Sequence, residues 1–202
     1  ISPVKIFAGA QLTPITAPTV EVDPHSGSAN LPMTLALPQG RAGIQPSLSL
    51  TYNSSRKNGI MGMGWGLNMG AIRVVTQNGV PDYNSEDTYV LMRQGGQQKL
   101  VFDPAAGFYR SQVEGAFMKI EKIADAWQVK DQKGVTYSFG SEGASRMSDP
   151  ADPSRIFQWY LDRVEDVHGN YMEVSYQKEG NYVYPRTIRY TGNAQTNADP
   201  FA

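Results

Sequence analysis

The feature that most limits what this chain can fold into is a period of two. Short runs of alternating apolar and polar residues recur along the sequence, and glycine and proline interrupt them at short intervals. Leu31, Met33, Leu35 and Leu37 alternate before Gln39-Gly40 stops the run, and Leu48, Leu50 and Tyr52 alternate with Ser47, Ser49 and Thr51. Successive side chains of a strand point to opposite faces, so each run gives one apolar and one polar face. Further runs fall at 72–76, 89–92, 100–102, 117–122 and 127–130. The last is joined through Asp131-Gln132-Lys133-Gly134 to Val135, Tyr137 and Phe139, which predicts a hairpin. Phe157, Trp159 and Leu161 alternate, 171–176 follows the turn His168-Gly169-Asn170, and 186–190 gives a last strand before Thr191-Gly192-Asn193. Twenty glycines and 13 prolines are spread over 202 residues instead of gathered in one linker. The predicted fold class is therefore all-β: antiparallel, with short strands and hairpins. Only 156–167 also carries a helical spacing, through Ile156, Tyr160 and Val164, and a short helix there is a competing expectation.

Residues 1–30 are rich in Pro, Thr, Ala and Ser and are expected to form an extended arm. The β domain is expected over 31–193, followed by a truncated linker at 194–202. The start without methionine and the end at Pro200-Phe201-Ala202 suggest a piece of a longer protein. Lysine and arginine number 18 against 19 acidic residues, which offers no basic excess for phosphate contacts and argues against a nucleic-acid partner. There is no cysteine, which removes disulfides, thiolate metal sites and cysteine nucleophiles. No apolar run reaches the 18 or so residues of a membrane helix, so no transmembrane segment is expected.

The most distinctive block begins Pro38-Gln39-Gly40-Arg41-Ala42-Gly43-Ile44-Gln45-Pro46. Leu48-Ser49-Leu50-Thr51-Tyr52 follows, then Asn58-Gly59 and Gly62-Met63-Gly64-Trp65. In bare physical terms the glycines allow tight backbone approach and Trp65 supplies one large apolar anchor, so a close bend beneath neighbouring strands is expected. This block resembles the amino-terminal region of the SpvB/TcB family, the Salmonella virulence plasmid B proteins and the B components of insecticidal toxin complexes. Its motif falls here on Pro38, Gly40, Gly43, Pro46, Tyr52, Asn58, Gly59, Gly62, Gly64 and Trp65. Downstream, Gly134 to Gly140, Arg146-Met147-Ser148-Asp149-Pro150 and the turn at Gly169-Asn170 agree in order. The resemblance implies the start of an Rhs-type β shell, which in toxin complexes encloses a toxic carboxy-terminal polypeptide. The stretch Asp162 to Tyr171 looks like one degenerate YD-type unit, and a single unit does not establish a repeat array. The ADP-ribosyltransferase of the plasmid proteins is implied to lie in a separate carboxy-terminal domain whose motifs do not occur here. The implied role is thus structural and non-enzymatic, in a secreted bacterial toxin, with no cofactor. The implied partners are the remainder of its own chain and other toxin-complex subunits.

Four groups of residues invite chemistry. Asp162, Glu165, Asp166 and His168 are types that hold a cation, although a turn at Gly169-Asn170 accounts for them more simply. Asp82, Asn84, Glu86 and Asp87 begin like a calcium loop, but Asp87 and Arg93 stand where that loop needs glycine and glutamate. The glycines from Gly59 to Gly66 lack the following Lys-Ser/Thr of a phosphate loop. Tyr171, Tyr176, Tyr182, Tyr184 and Tyr190 would form a sugar platform if they shared one face, making a surface glycan the alternative partner. Cross-strand packing explains the same tyrosines. His25 has no companion, and no Gly-x-Ser-x-Gly elbow is present. No pair of carboxylates stands out for glycoside hydrolysis.

Overall fold

A computed structural model describes residues 19–59, 61–76, 79–84, 87–93, 96–113 and 117–200. Apart from two short 3-10 turns, every element among the described residues is a strand. An amino-terminal sheet is built from β1 (Glu21–Val22), β2 (Ala29–Thr34), β3 (Ser49–Asn53) and β6 (Trp65–Leu67), in that order. A separate two-stranded ribbon pairs β4 (Asn58–Gly59) with β5 (Gly62–Met63).

The main sheet starts at β7 (Ala71–Val74) and continues in sequence order through β8 (Tyr89–Arg93), β9 (Gly96–Asp103) and β10 (Phe108–Ser111). It goes on through β11 (Lys119–Ile123), β12 (Ala126–Lys130) and β13 (Thr136–Phe139). The long strand β15 (Ile156–Glu165) then pairs with β7 through Gln158, Trp159 and Tyr160, and with β13 through Leu161, Arg163, Val164 and Glu165. Strands β7 to β13 and β15 thereby close into a ring of eight. Eight strands leave an interior just wide enough for side chains to fill. Here Ile72, Leu91, Ile120, Trp127, Val129, Phe139 and Trp159, each at most 2% exposed, fill it.

Two strand pairs leave this ring. The short β14 (Arg146–Ser148) runs beside the first half of β15. The hairpin β16 (Asn170–Glu179) and β17 (Tyr182–Asn193) starts beside its second half. Val174, Tyr176, Val183 and Ile188 of this hairpin make a second core with Leu48, against which Leu35, Leu67, Met147 and Tyr160 pack. The Tyr176 hydroxyl donates to the Leu161 carbonyl (2.5 Å) and fixes the hairpin to β15. Burial pushes the Tyr160 phenol up to about 12 and raises Tyr176 well above its ordinary value, so neither titrates in the neutral range.

The all-β prediction holds. The helical alternative over 156–167 does not, because β15 has hydrogen-bonded neighbours on both edges. The expected arm at 1–30 also needs correction. Residues 1–18 lie outside the described residues, but Glu21–Val22 pairs with Ala29 and Asn30, so the amino-terminal sheet begins inside that segment. Asp23 makes the turn by accepting hydrogen bonds from the amides of His25 (2.9 Å) and Ser26, which is the role of His25's neighbourhood. Nor is 194–202 a simple linker as far as residue 198. Asn193 and Ala198 exchange backbone hydrogen bonds of 2.9 and 3.0 Å.

Candidate functional site

The block around Trp65 builds one face of the amino-terminal sheet. Registers Leu31↔Tyr52, Met33↔Leu50, Leu50↔Leu67 and Tyr52↔Trp65 set these six large side chains on the same side. The opposite face carries Asn30, Thr34, Ser49, Thr51 and Asn53. Tyr52 and Trp65 touch at 5.3 Å between ring centres. Gly64 makes this contact geometrically open: its φ is +79°, and a β-carbon there would run into the Tyr52 ring. Asn58 and Gly59 lie exposed on the β4–β5 ribbon, opposite Met63 and Gly62.

The expected bend around the glycines is present, and Trp65 packs against Tyr52 of the neighbouring strand while staying only partly buried. All six apolar side chains are only partly buried, and no residue of β1, β2, β3 or β6 is fully buried. A sheet of single thickness has nothing to bury its apolar face against. Among the described residues, only Leu67 of the six packs against a buried core, the second one.

The Pro38 to Pro46 segment links the two cores. It carries a 3-10 turn at Arg41–Gly43, closed by the Ile44 amide on the Arg41 carbonyl (2.9 Å). A β-carbon at Gly40 would meet the Ile44 carbonyl oxygen, so the turn needs glycine there. Ile44 then packs against the barrel core, Pro46 is buried, and Leu48 enters the second core. Gly169 and Asn170 occupy the turn between β15 and β16. Asp166 accepts the amides of His168 (2.8 Å) and Asn170 (2.9 Å) and the Asn170 side-chain amide (2.8 Å). Partial burial opposes ionisation of Asp166, but these hydrogen bonds outweigh it and hold its pKa below the usual value.

Asn193, not singled out from sequence, ties this turn to the chain beyond it. Its side-chain amide donates to the carbonyl oxygens of His168 (3.0 Å) and of the Asn170 side chain (2.9 Å). Its side-chain oxygen accepts the amides of Gln195 and Thr196. A Gly-Asn pair at a strand end signals a turn, but does not reveal which distant turn it grips.

The suspected cation cluster is dispersed. Asp162 is 7% exposed and turns toward the second 3-10 turn (Gly143–Ser145), accepting from Ser141 and from the Ser145 hydroxyl (2.7 Å). Glu165 pairs with Arg163, while Asp166 shapes the turn. No group of three or more metal-ligating side chains occurs among the described residues. In the calcium-like stretch Glu86 lies outside the described residues, and Asp87 accepts the Asn84 amide in the loop between β7 and β8.

The five tyrosines do not share a platform. Tyr176 and Tyr190 are 8% and 4% exposed and belong to different cores. Tyr171 lies under the Arg163 guanidinium at 3.9 Å, and only Tyr182, 62% exposed, stands well out beside Tyr184 near the hairpin tip.

Two cations face into the barrel, one among the aromatics and one among apolar and amide side chains. Lys122 sets its ammonium 5.0 to 5.7 Å from the ring centres of Tyr89, Trp127 and Trp159, and donates to the Tyr89 hydroxyl (3.1 Å). Trp159 donates its indole N–H to the Asp125 carbonyl (2.8 Å). Arg93 lies over the Tyr137 ring at 4.6 Å. Period-two reading of β8 and β11 places both cations inward, yet sequence alone reveals neither ring closure nor their neighbours.

The family profile of the Salmonella virulence plasmid 65kDa B protein matches residues 23–199. The Mono(ADP-ribosyl)transferase SpvB of Salmonella typhimurium is 27% identical over 205 aligned positions. The match covers 86% of this chain and 35% of that protein, and the protein of the same name from Salmonella choleraesuis matches to the same extent. The chain thus spans about a third of the length of these relatives. The structure of the amino-terminal domain of SpvB from Salmonella typhimurium strain LT2 superposes with a TM-score of 0.66 at 24% identity, over 82% of this chain and 65% of that one. The TcdB2-TccC3 structure superposes with a TM-score of 0.70 at 21% identity, over 94% of this chain and 11% of that one. The likeness to these two structures is one of fold.

Proposed function

We propose a structural role for this chain, which belongs to the Salmonella virulence plasmid 65kDa B protein family: it is the opening segment of a β shell in a secreted bacterial toxin. The shell is completed by later parts of the same polypeptide and by toxin-complex subunits. The observation that carries this reading is the apolar face of Leu31, Met33, Leu50, Tyr52, Trp65 and Leu67. Its residues are set in register on one side of a sheet, none is fully buried, and only Leu67 of the six packs against a buried core among the described residues. Fully burying a side chain of this kind is worth about 1.5–3 kcal/mol. Six of them left short of full burial fit a surface whose folding partner lies elsewhere.

The β16–β17 hairpin supports the same reading. Among the described residues β17 pairs with β16 and, at its last residue Asn193, with Ala198, so the rest of its other edge is open to a further strand. The relatives named as ADP-ribosyltransferases extend well past this segment. We assign no share of that activity to it, because the polar clusters described above are spent on turns and ion pairs. The glycan alternative gains no support from the divided tyrosines.

The test is size-exclusion chromatography with light scattering, on this chain mixed with the rest of its polypeptide supplied as a separate chain. A one-to-one complex is expected, and Leu31→Ser combined with Leu50→Ser should abolish it while the barrel stays folded. A chain that ignores the remainder would sink the shell role.

A further inference from the structure

We infer that the Arg93 mouth of the barrel is a binding site for a small organic carboxylate with an apolar tail. A cavity of about 850 Å³ opens there. Its floor is apolar, formed by Leu91, Met118, Phe139, Val164 and Met172, all of them buried members of the barrel core. Its polar lining includes two cations, Arg93 and Lys99, together with the amides of Gln97, Gln98 and Gln112. Among the described residues no aspartate or glutamate lines it.

Arg93 is the centre of the argument. It follows Tyr89 and Leu91 on the inward face of β8, where both neighbours are buried. Its guanidinium rests on Tyr137 and donates to the Met118 thioether sulfur at 3.2 Å. No ion pair to Arg93 occurs among the described residues, and Asp131 instead accepts the Tyr137 hydroxyl (3.4 Å). A thioether is a weak acceptor, and a half-buried guanidinium gains most from a carboxylate that takes two of its N–H groups at once. A partly desolvated cation, a described lining without acidic side chains and an apolar floor fit one ligand chemistry: a carboxylate head at Arg93 with a hydrocarbon tail toward Met118 and Phe139. The barrel interior is filled by side chains, so the ligand sits at the mouth, where a cavity of this size takes one small molecule. This inference is independent of the shell role.

The probes are octanoate, octan-1-ol, acetate and inorganic phosphate, titrated calorimetrically into the 202-residue chain. Octanoate should bind saturably and at least tenfold more tightly than octan-1-ol, which isolates the charge, and more tightly than acetate, which isolates the tail. Arg93→Gln should bring octanoate down to the level of the alcohol. The exposed Lys99→Gln, which leaves the barrel interior intact, should weaken octanoate about two- to threefold by removing the second positive charge. The octanoate–octanol comparison needs no variant, so misfolding of Arg93→Gln cannot rescue the inference. Equal binding of acid and alcohol would overturn it. So would octanoate binding unchanged in Arg93→Gln, binding of phosphate without octanoate, or no saturable binding.

Discussion

The barrel and the amino-terminal sheet are made from the same kind of sequence, short period-two runs between glycines, yet they end in opposite states. In the barrel every strand has two neighbours, because β15 is long enough to pair with β7 and β13 in succession. Its inward apolar residues form a buried core that runs from Ile72 to Tyr190. The amino-terminal sheet has equally large residues on one face and buries none of the strand residues fully. Alternation therefore specifies which face is apolar, while closure or a second layer decides whether that face is covered. The barrel supplies its own cover; the sheet's apolar face is covered only in part, with Leu67 against the second core.

Four substitutions press on this contrast. The largest effect is expected inside the ring, where Trp127 is 1% exposed and meets Tyr89, Tyr109 and Trp159 at 4.8 to 5.9 Å. Trp127→Ala should cost about 3–5 kcal/mol in urea unfolding. A loss below 1 kcal/mol would mean that the ring is not the stable body of the molecule. Ile188→Ala, in the second core, should cost about 2–5 kcal/mol. Its effect on amide exchange should concentrate in 170–193 and spare 71–139. Uniform loss across both would merge hairpin and barrel into one cooperative unit.

In the amino-terminal sheet, Gly64→Ala combines a positive φ with a collision against Tyr52 and should cost about 1–3 kcal/mol. That loss should appear as fluorescence change at Trp65 before the barrel melts. A single coincident transition would show that the sheet does not open separately. The smallest effect is at the turn that joins β15 to β16. Asp166 has its pKa lowered in the folded state. Its contribution is therefore present above the unfolded-state pKa, near pH 4, and is lost as pH falls through the folded-state value. Asp166→Asn should cost about 1 kcal/mol at neutral pH, and the gap to the parent chain should close below about pH 4. A gap independent of pH would assign the effect to shape rather than charge.

Much of this was legible in the residues. The hairpin from Trp127 to Phe139 follows directly from alternation around Asp131-Gln132-Lys133-Gly134, and β12 and β13 pair as expected. The glycines near Trp65 predicted close backbone approach, which Gly64 and Tyr52 show. Ring closure was not legible, because it depends on Trp159 pairing with Ile72 and Leu161, two residues on, with Phe139, and a switch of partner along one strand leaves no local mark. Helical spacing of Ile156, Tyr160 and Val164 was a coincidence that two-sided pairing overrode. β10 escaped notice because Phe108–Ser111 is a short run without alternation strong enough to stand out. The acidic residues near His168 looked like ligands because turns and cation sites recruit the same types. Only the direction of Asp162, toward Ser145 and away from Asp166, separates the two.

Hydrogen–deuterium exchange on the isolated chain and on the same residues within the full-length protein tests the central claim most directly. The shell account predicts added protection at 29–34, 49–53, 65–67 and 182–193 in the full-length protein, with 71–139 unchanged. Identical exchange in both settings would show that nothing covers the apolar face or pairs with the β17 edge, and would contradict it.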